Sequence, residues 1–237
     1  MAVYTVWGPP RSGKTTLAID LAYAFTLRGE SVCLISPERY SELSARMRLH
    51  IEAEKSLSAV STSKESLKHI VLPADDLLYV LAVPLDNDAF GGELSSENAK
   101  SLLAQAETIF DVIIVDCPSH CGSSLAAWAM SMADTVLLLT GSALGAVPWF
   151  SAYRRAVEAV EKRLLPVNVE ACGDFDYASL HQLIGQKPEL RVPFYPDAEA
   201  AQSEHHTLYG KSGKAGRKYT SAIDDIYAAL DEGGEDE

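Results

Sequence analysis

Near the start of the chain, Gly8-Pro9-Pro10-Arg11-Ser12-Gly13-Lys14-Thr15 sets two glycines, a lysine and a hydroxyl in the spacing G-x-x-x-x-G-K-[ST]. Glycines let a backbone curl until successive N–H groups point inward at phosphate oxygens, and a helix beginning at Lys14 adds the partial positive charge of its N-terminus. In such a loop Lys14 bridges the β and γ phosphates, Thr15 places its hydroxyl on Mg²⁺, and Thr16 reaches the α-phosphate. The bland alternative is a glycine-containing turn that happens to precede a helix. The flanks argue against it. Val3 to Trp7 is an apolar run that stops at Gly8, and Leu17, Leu21, Ala24 and Leu27 then recur at helical spacing. Strand, loop and helix in that order are the context the motif requires, so the sequence predicts a nucleotide site, with ATP and Mg²⁺ as its occupants.

A second group of residues fits the same chemistry. Asp116 follows Val112-Ile113-Ile114-Val115, a β-branched run of the kind that fits a sheet buried on both faces. A carboxylate at the end of such a strand holds the metal directly or through water; the competing reading is a simple strand-end aspartate. Cys117-Pro118-Ser119-His120-Cys121-Gly122 then reads as a switch segment that senses the γ-phosphate. Cys117, His120 and Cys121 are also suitable zinc ligands, but no second pair lies at finger-like separation, so zinc is disfavoured.

Positioning these residues takes alternating elements. The sequence predicts strands at Ser31 to Ile35, Leu77 to Val83, Asp111 to Asp116, Thr135 to Thr140, Pro166 to Ala171 and Leu190 to Val192. Helices are predicted from Gly13 to Leu27, closed by Gly29, and from Glu38 to Glu54. Further helices are predicted after a Ser95 cap, from Leu125 to Met132, Pro148 to Leu164 and Tyr177 to Ile184, and from Tyr219 to Leu230. This rhythm implies an α/β fold: a mainly parallel, doubly wound sheet covered by helices on both faces, with ligands at the carboxyl ends of the strands. At 237 residues a single domain over 1–230 is expected, followed by an acidic tail, 231–237, expected to be disordered.

Composition narrows the partners. Apolar residues make up 47% and charged residues 22%, which describes an ordinary globular chain rather than a disordered one. A net charge of −13 repels nucleic acid and anionic lipid at long range, so any DNA contact needs a local patch. Lys211, Lys214, Arg217 and Lys218 form the one concentrated patch; their glycine neighbours favour a mobile connector over a DNA-contacting loop. Four scattered cysteines suit a reducing compartment, and no apolar run approaches the roughly 20 residues that span a bilayer, so a cytoplasmic location is expected. Arg154, Arg155, Lys162 and Arg163 read as the exposed polar face of one long helix.

Taken together, the loop, the Leu17-Ala18-Ile19-Asp20-Leu21-Ala22 helix, Phe110 to Pro118, Ala133-Asp134-Thr135-Val136 and Val192-Pro193-Phe194-Tyr195-Pro196-Asp197 resemble the MinD/ParA superfamily of deviant-Walker ATPases. The likeness runs over most of the chain. It implies a P-loop NTPase fold, an ATP-dependent homodimer, a protein partner, and an adenine pocket cupped by Pro193, Phe194 and Asp197. Leu77 to Pro84 is most similar to the pilus-localisation branch, the TadZ and CpaE proteins. Members of that branch often carry a receiver-like domain ahead of the loop; here the loop lies almost at Met1, and none is expected. Two departures stand out. Pro9 occupies the position of the family's signature lysine, and Ser36-Pro37-Glu38 stands where relatives end their second strand with D-x-D. Glu38 can position the attacking water in place of the later aspartate, or simply open a helix. Arg11, where relatives carry glycine, supplies a positive charge that can replace the lost lysine or remain a solvent-exposed loop residue.

Three functions remain open on these grounds. The first is a slowly hydrolysing positioning switch, with Lys14, Glu38 and Asp116 as catalytic residues; the second is a nucleotide-binding scaffold without turnover. The third is a small-molecule kinase or ligase, for which no acceptor constellation stands out.

Overall fold

The computed structural model describes every residue except 41, 62–65, 89–92, 121, 161–162, 197, 206 and 233–237. The apolar runs become strands: β1 (Ala2–Trp7), β2 (Val32–Ile35), β3 (Leu72–Pro73), β4 (Leu78–Leu81), β5 (Val112–Asp116), β6 (Thr135–Leu139), β7 (Leu164–Val169) and β8 (Leu190–Val192). They form one sheet in the order β3-β4-β2-β5-β1-β6-β7-β8, parallel throughout except for the short antiparallel β3 at one edge. The helices are α1 (Lys14–Thr26), α2 (Glu42–Arg46), α3 (Leu67–Ile70), α4 (Ser96–Glu107), α5 (Ser124–Met132), α6 (Ala146–Ala159), α7 (Tyr177–Ile184), α8 (Ala198–His205) and α9 (Gly213–Glu232). No described helix is long and apolar enough to cross a membrane.

Alternation along the central strands divides the core between the two faces of the sheet. Ile113 and Val115 of β5 pack with Leu102, Leu103 and Ala129 of α4 and α5. Val112 and Ile114 pack instead with Leu17, Leu21 and Ile223 of α1 and α9. Burying a leucine or isoleucine completely contributes roughly 1.5–3 kcal/mol, so α1 is held to the sheet by its apolar side chains rather than by caps. Its N-cap, Gly13, makes no side-chain bond. At the other end Gly29, at φ 90°, turns the chain out of the helix into β2. Ser95 caps α4 through its hydroxyl, which accepts from Asn98 N at 3.2 Å. Asp134, within the Ala-Asp motif, accepts from Val3 N at 2.7 Å and so joins the start of β6 to β1.

One buried polar knot ties α1 to the C-terminal part of the chain. Asp20 is fully buried; its carboxylate accepts from the Thr207 and Tyr219 hydroxyls at 2.5 and 2.6 Å and from Leu208 N at 2.8 Å. Burial raises its pKa, and these hydrogen bonds oppose that rise.

Several boundaries depart from expectation. The predicted 38–54 helix shrinks to α2: Arg48 turns left-handed at φ 50°, and 3₁₀ turns follow at Ala53–Lys55 and Leu57–Ser61. α6 stops at Ala159 rather than Leu164, because Leu164 to Val167 pair with Val136 to Leu139 of β6. Arg163 therefore lies beyond that helix, and Lys162 lies outside the described residues. α9 begins at Gly213, not Tyr219, which puts Lys214, Arg217 and Lys218 on a helix rather than a mobile connector. Gly216 serves close packing there, since a Cβ would lie 2.2 Å from the Lys211 carbonyl oxygen. Asp231 and Glu232, expected in the tail, continue the helix; 233–237 lie outside the described residues.

Candidate functional site

The loop between β1 and α1 takes the shape its glycines permit. Gly8 sits at φ 154°, and a Cβ there would come within 2.6 Å of the Leu139 carbonyl oxygen. Gly13, at φ 90°, would bring a Cβ to 2.9 Å from Val169 Cγ1. Arg11 is left-handed at φ 59° and exposed, at the position where the family resemblance places glycine. The loop therefore keeps the glycine-type backbone and gains a guanidinium.

Lys14 and Asp116 meet across the carboxyl ends of β1 and β5. Lys14 Nζ donates to Ser119 Oγ at 2.5 Å and to the Pro9 carbonyl at 3.3 Å. Thr15 Oγ1 donates to Asp116 Oδ2 at 2.7 Å, while Asp116 Oδ1 has no partner among the described residues. Burial pushes the Asp116 carboxyl up to about 7, against the Thr15 hydroxyl and the Lys14 ammonium. Burial lowers the Lys14 pKa, opposed by Asp116, Glu38 and Glu42. Glu38 is half-buried in the loop after β2, four residues before α2 begins, so it does not open a helix. Its pKa is raised by burial, against His120 and Lys14.

A cavity of about 610 Å³ opens beside these groups. Arg11 to Thr16 form one wall; Val169, Glu170, Ala171, Phe194 and Tyr195 form another. Of the residues expected around adenine, Phe194 lines the cavity, Pro193 is not among its lining residues, and Asp197 lies outside the described residues. Gly8, Pro9 and Pro10, expected at the phosphates, are not among the lining residues. Glu42, Arg46, Gln202 and Tyr219 also face the cavity. Sequence reasoning missed these four, because they come from three separate helices with no motif between them. Of the residues in the zinc reading, Cys117 is buried and Cys121 lies outside the described residues. Among the described residues, no three or more His, Cys, Asp and Glu side chains gather as a metal centre.

Both expected ligands pass a structural test. The unpartnered Asp116 oxygen beside the Thr15 hydroxyl offers hard oxygen donors of the kind Mg²⁺ takes. The glycine positions that exclude a Cβ, together with Lys14, suit a polyphosphate.

A P-loop at the carboxyl edge of a parallel sheet, with a strand-end aspartate opposite its lysine, defines a P-loop nucleotide-binding protein. Residues 11–167 match the AAA domain family, and the chain belongs to that family. Its fold is that of the MinD/ParA superfamily. It resembles a putative plasmid partition protein from Borrelia burgdorferi bound to AMPPNP, at 13% identity and TM-score 0.73 over 97% of this chain and 99% of that one. It also resembles the septum site-determining protein MinD of Pyrococcus horikoshii complexed with Mg-ADP, at 14% identity and TM-score 0.71 over 99% and 100%. A third likeness is to the MinC:MinD cell division protein complex of Aquifex aeolicus, at 15% identity and TM-score 0.70 over 96% of each chain. No curated protein matches by sequence.

Proposed function

We propose that this protein is an ATP- and Mg²⁺-binding molecular switch of the MinD/ParA kind, a single cytoplasmic domain over 1–230 that positions or assembles a cellular complex. The observation that carries the reading is the part-buried pairing of Lys14 and Thr15, which line a nucleotide-sized cavity, with Ser119 and Asp116. Arg11 to Thr16 hold the phosphates, Phe194 and Tyr195 flank the base, and Thr15 with Asp116 hold Mg²⁺, which screens phosphate charge when bound. Lys14 leaves Ser119 for the phosphates. Glu38 orients the attacking water, and hydrolysis is slow. In the ATP state the protein pairs with a second copy or with a protein partner of a pilus, secretion or partition apparatus. The solved relatives with Mg-ADP, AMPPNP and MinC support this reading. DNA contact through Lys211, Lys214, Arg217 and Lys218 is disfavoured by the overall charge of −13.

One observation favours a second reading, a nucleotide-binding scaffold without turnover: Pro9 removes the signature lysine and Ser36-Pro37-Glu38 replaces D-x-D. Titration calorimetry with Mg·ATP, paired with phosphate release, separates the two. The switch predicts binding and slow release, with affinity reduced at least tenfold in Lys14→Ala, a loss typical of a charge-assisted contact. Binding without release supports the scaffold, and absence of binding in the wild type sinks both.

A further inference from the structure

Helix α8 walls the cavity, and Gln202, one of the residues that line it, carries an unmatched donor. Gln202 is 5% exposed, and its Oε1 accepts from Arg46 Nη1 at 2.6 Å. Arginine only donates, so this bond settles which end of the amide faces the guanidinium. Nε2 is therefore the free end, and among the described residues it has no hydrogen-bond partner. A buried amide donor without an acceptor is costly, and its presence on a cavity wall points to a ligand atom that accepts.

The neighbours of Gln202 say which kind of atom. Arg46 Nε and Nη2 both donate to Glu42 Oε1, at 2.9 and 2.6 Å, so the charge at this corner is balanced and Arg46 acts by orienting the amide. Glu199 lies three residues before Gln202 on α8, on the same helix face, and lines the same cavity. Its carboxylate only accepts. Phosphate oxygens suit neither Glu199 nor Glu42. A hydroxyl, which accepts and donates at once, satisfies both the amide N–H and the carboxylate. In a nucleotide whose phosphates rest on the loop of Lys14, those hydroxyls belong to the sugar.

We propose that α8 reads the ribose: Gln202 Nε2 donates to a sugar hydroxyl oxygen, Glu199 accepts the hydroxyl hydrogen, and Arg46 is a positioning residue that fixes the amide. The proposal rests on the nucleotide reading of the cavity and deepens it, since neither member of the pair belongs to the P-loop.

Calorimetry with the magnesium complexes of ATP, 2′-deoxy-ATP and 3′-deoxy-ATP tests it. Wild type is expected to bind at least one deoxy analogue about tenfold more weakly than ATP, the size of one buried hydrogen bond with its partner stranded. In Gln202→Leu the ATP affinity falls by a similar factor and the ratio of ATP to deoxy affinities shrinks toward one. Arg46→Met shrinks the ratio as well, which a merely structural role would not do. Glu199 is exposed, so Glu199→Ala provides the same ratio test should Gln202→Leu lose its fold by circular dichroism. Equal binding of all three nucleotides by the wild type, or an unchanged ratio in both the Gln202 and Glu199 variants, overturns the proposal. Failure of every nucleotide to bind is a distinct result; it removes the nucleotide reading and this inference with it.

Discussion

Asp116 is buried at the centre of the sheet edge, with one oxygen on Thr15 and the other unmatched. Burial raises its carboxyl to about 7, whereas an aspartate in an unfolded chain titrates near about 3.9. Between those values the folded state holds more protons than the unfolded one, so stability falls as pH rises. The contribution is complete below about pH 4 and is lost as pH passes through about 7. Without metal or nucleotide, Asp116→Asn should therefore be more stable than the wild type by roughly 1–3 kcal/mol at about pH 8, with the gap closing toward about pH 5. Parallel melting curves for the two proteins over that range would refute the assignment. At this scale much was legible: the loop from Gly8 lies between β1 and α1 and Asp116 ends β5 beside Thr15, as the motif spacing and the apolar run before Asp116 predicted. Glu38 was legible as a candidate, but its two readings separated only when α2 proved to begin at Glu42.

Among the elements, α6 is tied to the loop after β5 by Trp149. Trp149 Nε1 donates to the Ser119 carbonyl at 2.6 Å, and the same Ser119 accepts from Lys14 through its hydroxyl. Trp149 also stacks on Tyr153, with ring centroids 4.7 Å apart, and meets Trp7 edge-on at 4.9 Å. Were Lys14 to move to phosphate, as the proposed function requires, Ser119 would lose a partner and the indole beside it would change surroundings. Mg·ATP should therefore alter tryptophan emission, and Trp149→Phe should remove most of the change while Trp128→Phe leaves it. Retention of the full change in Trp149→Phe would disconnect α6 from the site. Nothing in the sequence pointed to this contact, since residues 119 and 149 belong to different loop and helix segments. The misjudged helix ends have a related cause: the apolar pattern of 148–164 is compatible with one helix, and only pairing with β6 assigns Leu164 to a strand.

For the whole molecule, the charge of −13 bears on assembly. Two copies brought face to face repel one another, and salt screens that repulsion within about 10 Å at 0.1 M ionic strength. Light scattering with AMPPNP and Mg²⁺ should show the mass double relative to the nucleotide-free protein, and the dimer should be stronger at about 0.3 M than at about 0.02 M salt. A monomer at every salt concentration would leave the switch without its second copy. The basic side chains of α9 do not reverse this expectation, because three exposed cations on one helix are few against the total.

By itself the sequence determined the alternation of strands and helices, the parallel sheet, the glycine loop between β1 and α1 and the aspartate at the end of β5. Each is written in local spacing: period two or a continuous apolar run for strands, period 3.6 for helices, and a fixed motif for the loop. Tertiary structure alone decided which residues complete the cavity and which hold Ser119. Arg46, Gln202 and Tyr219 lie far apart along the chain, as do Ser119 and Trp149, and each group converges only once the sheet has set where its helices lie. A contact between distant segments depends on how whole elements pack, and local spacing carries no record of it.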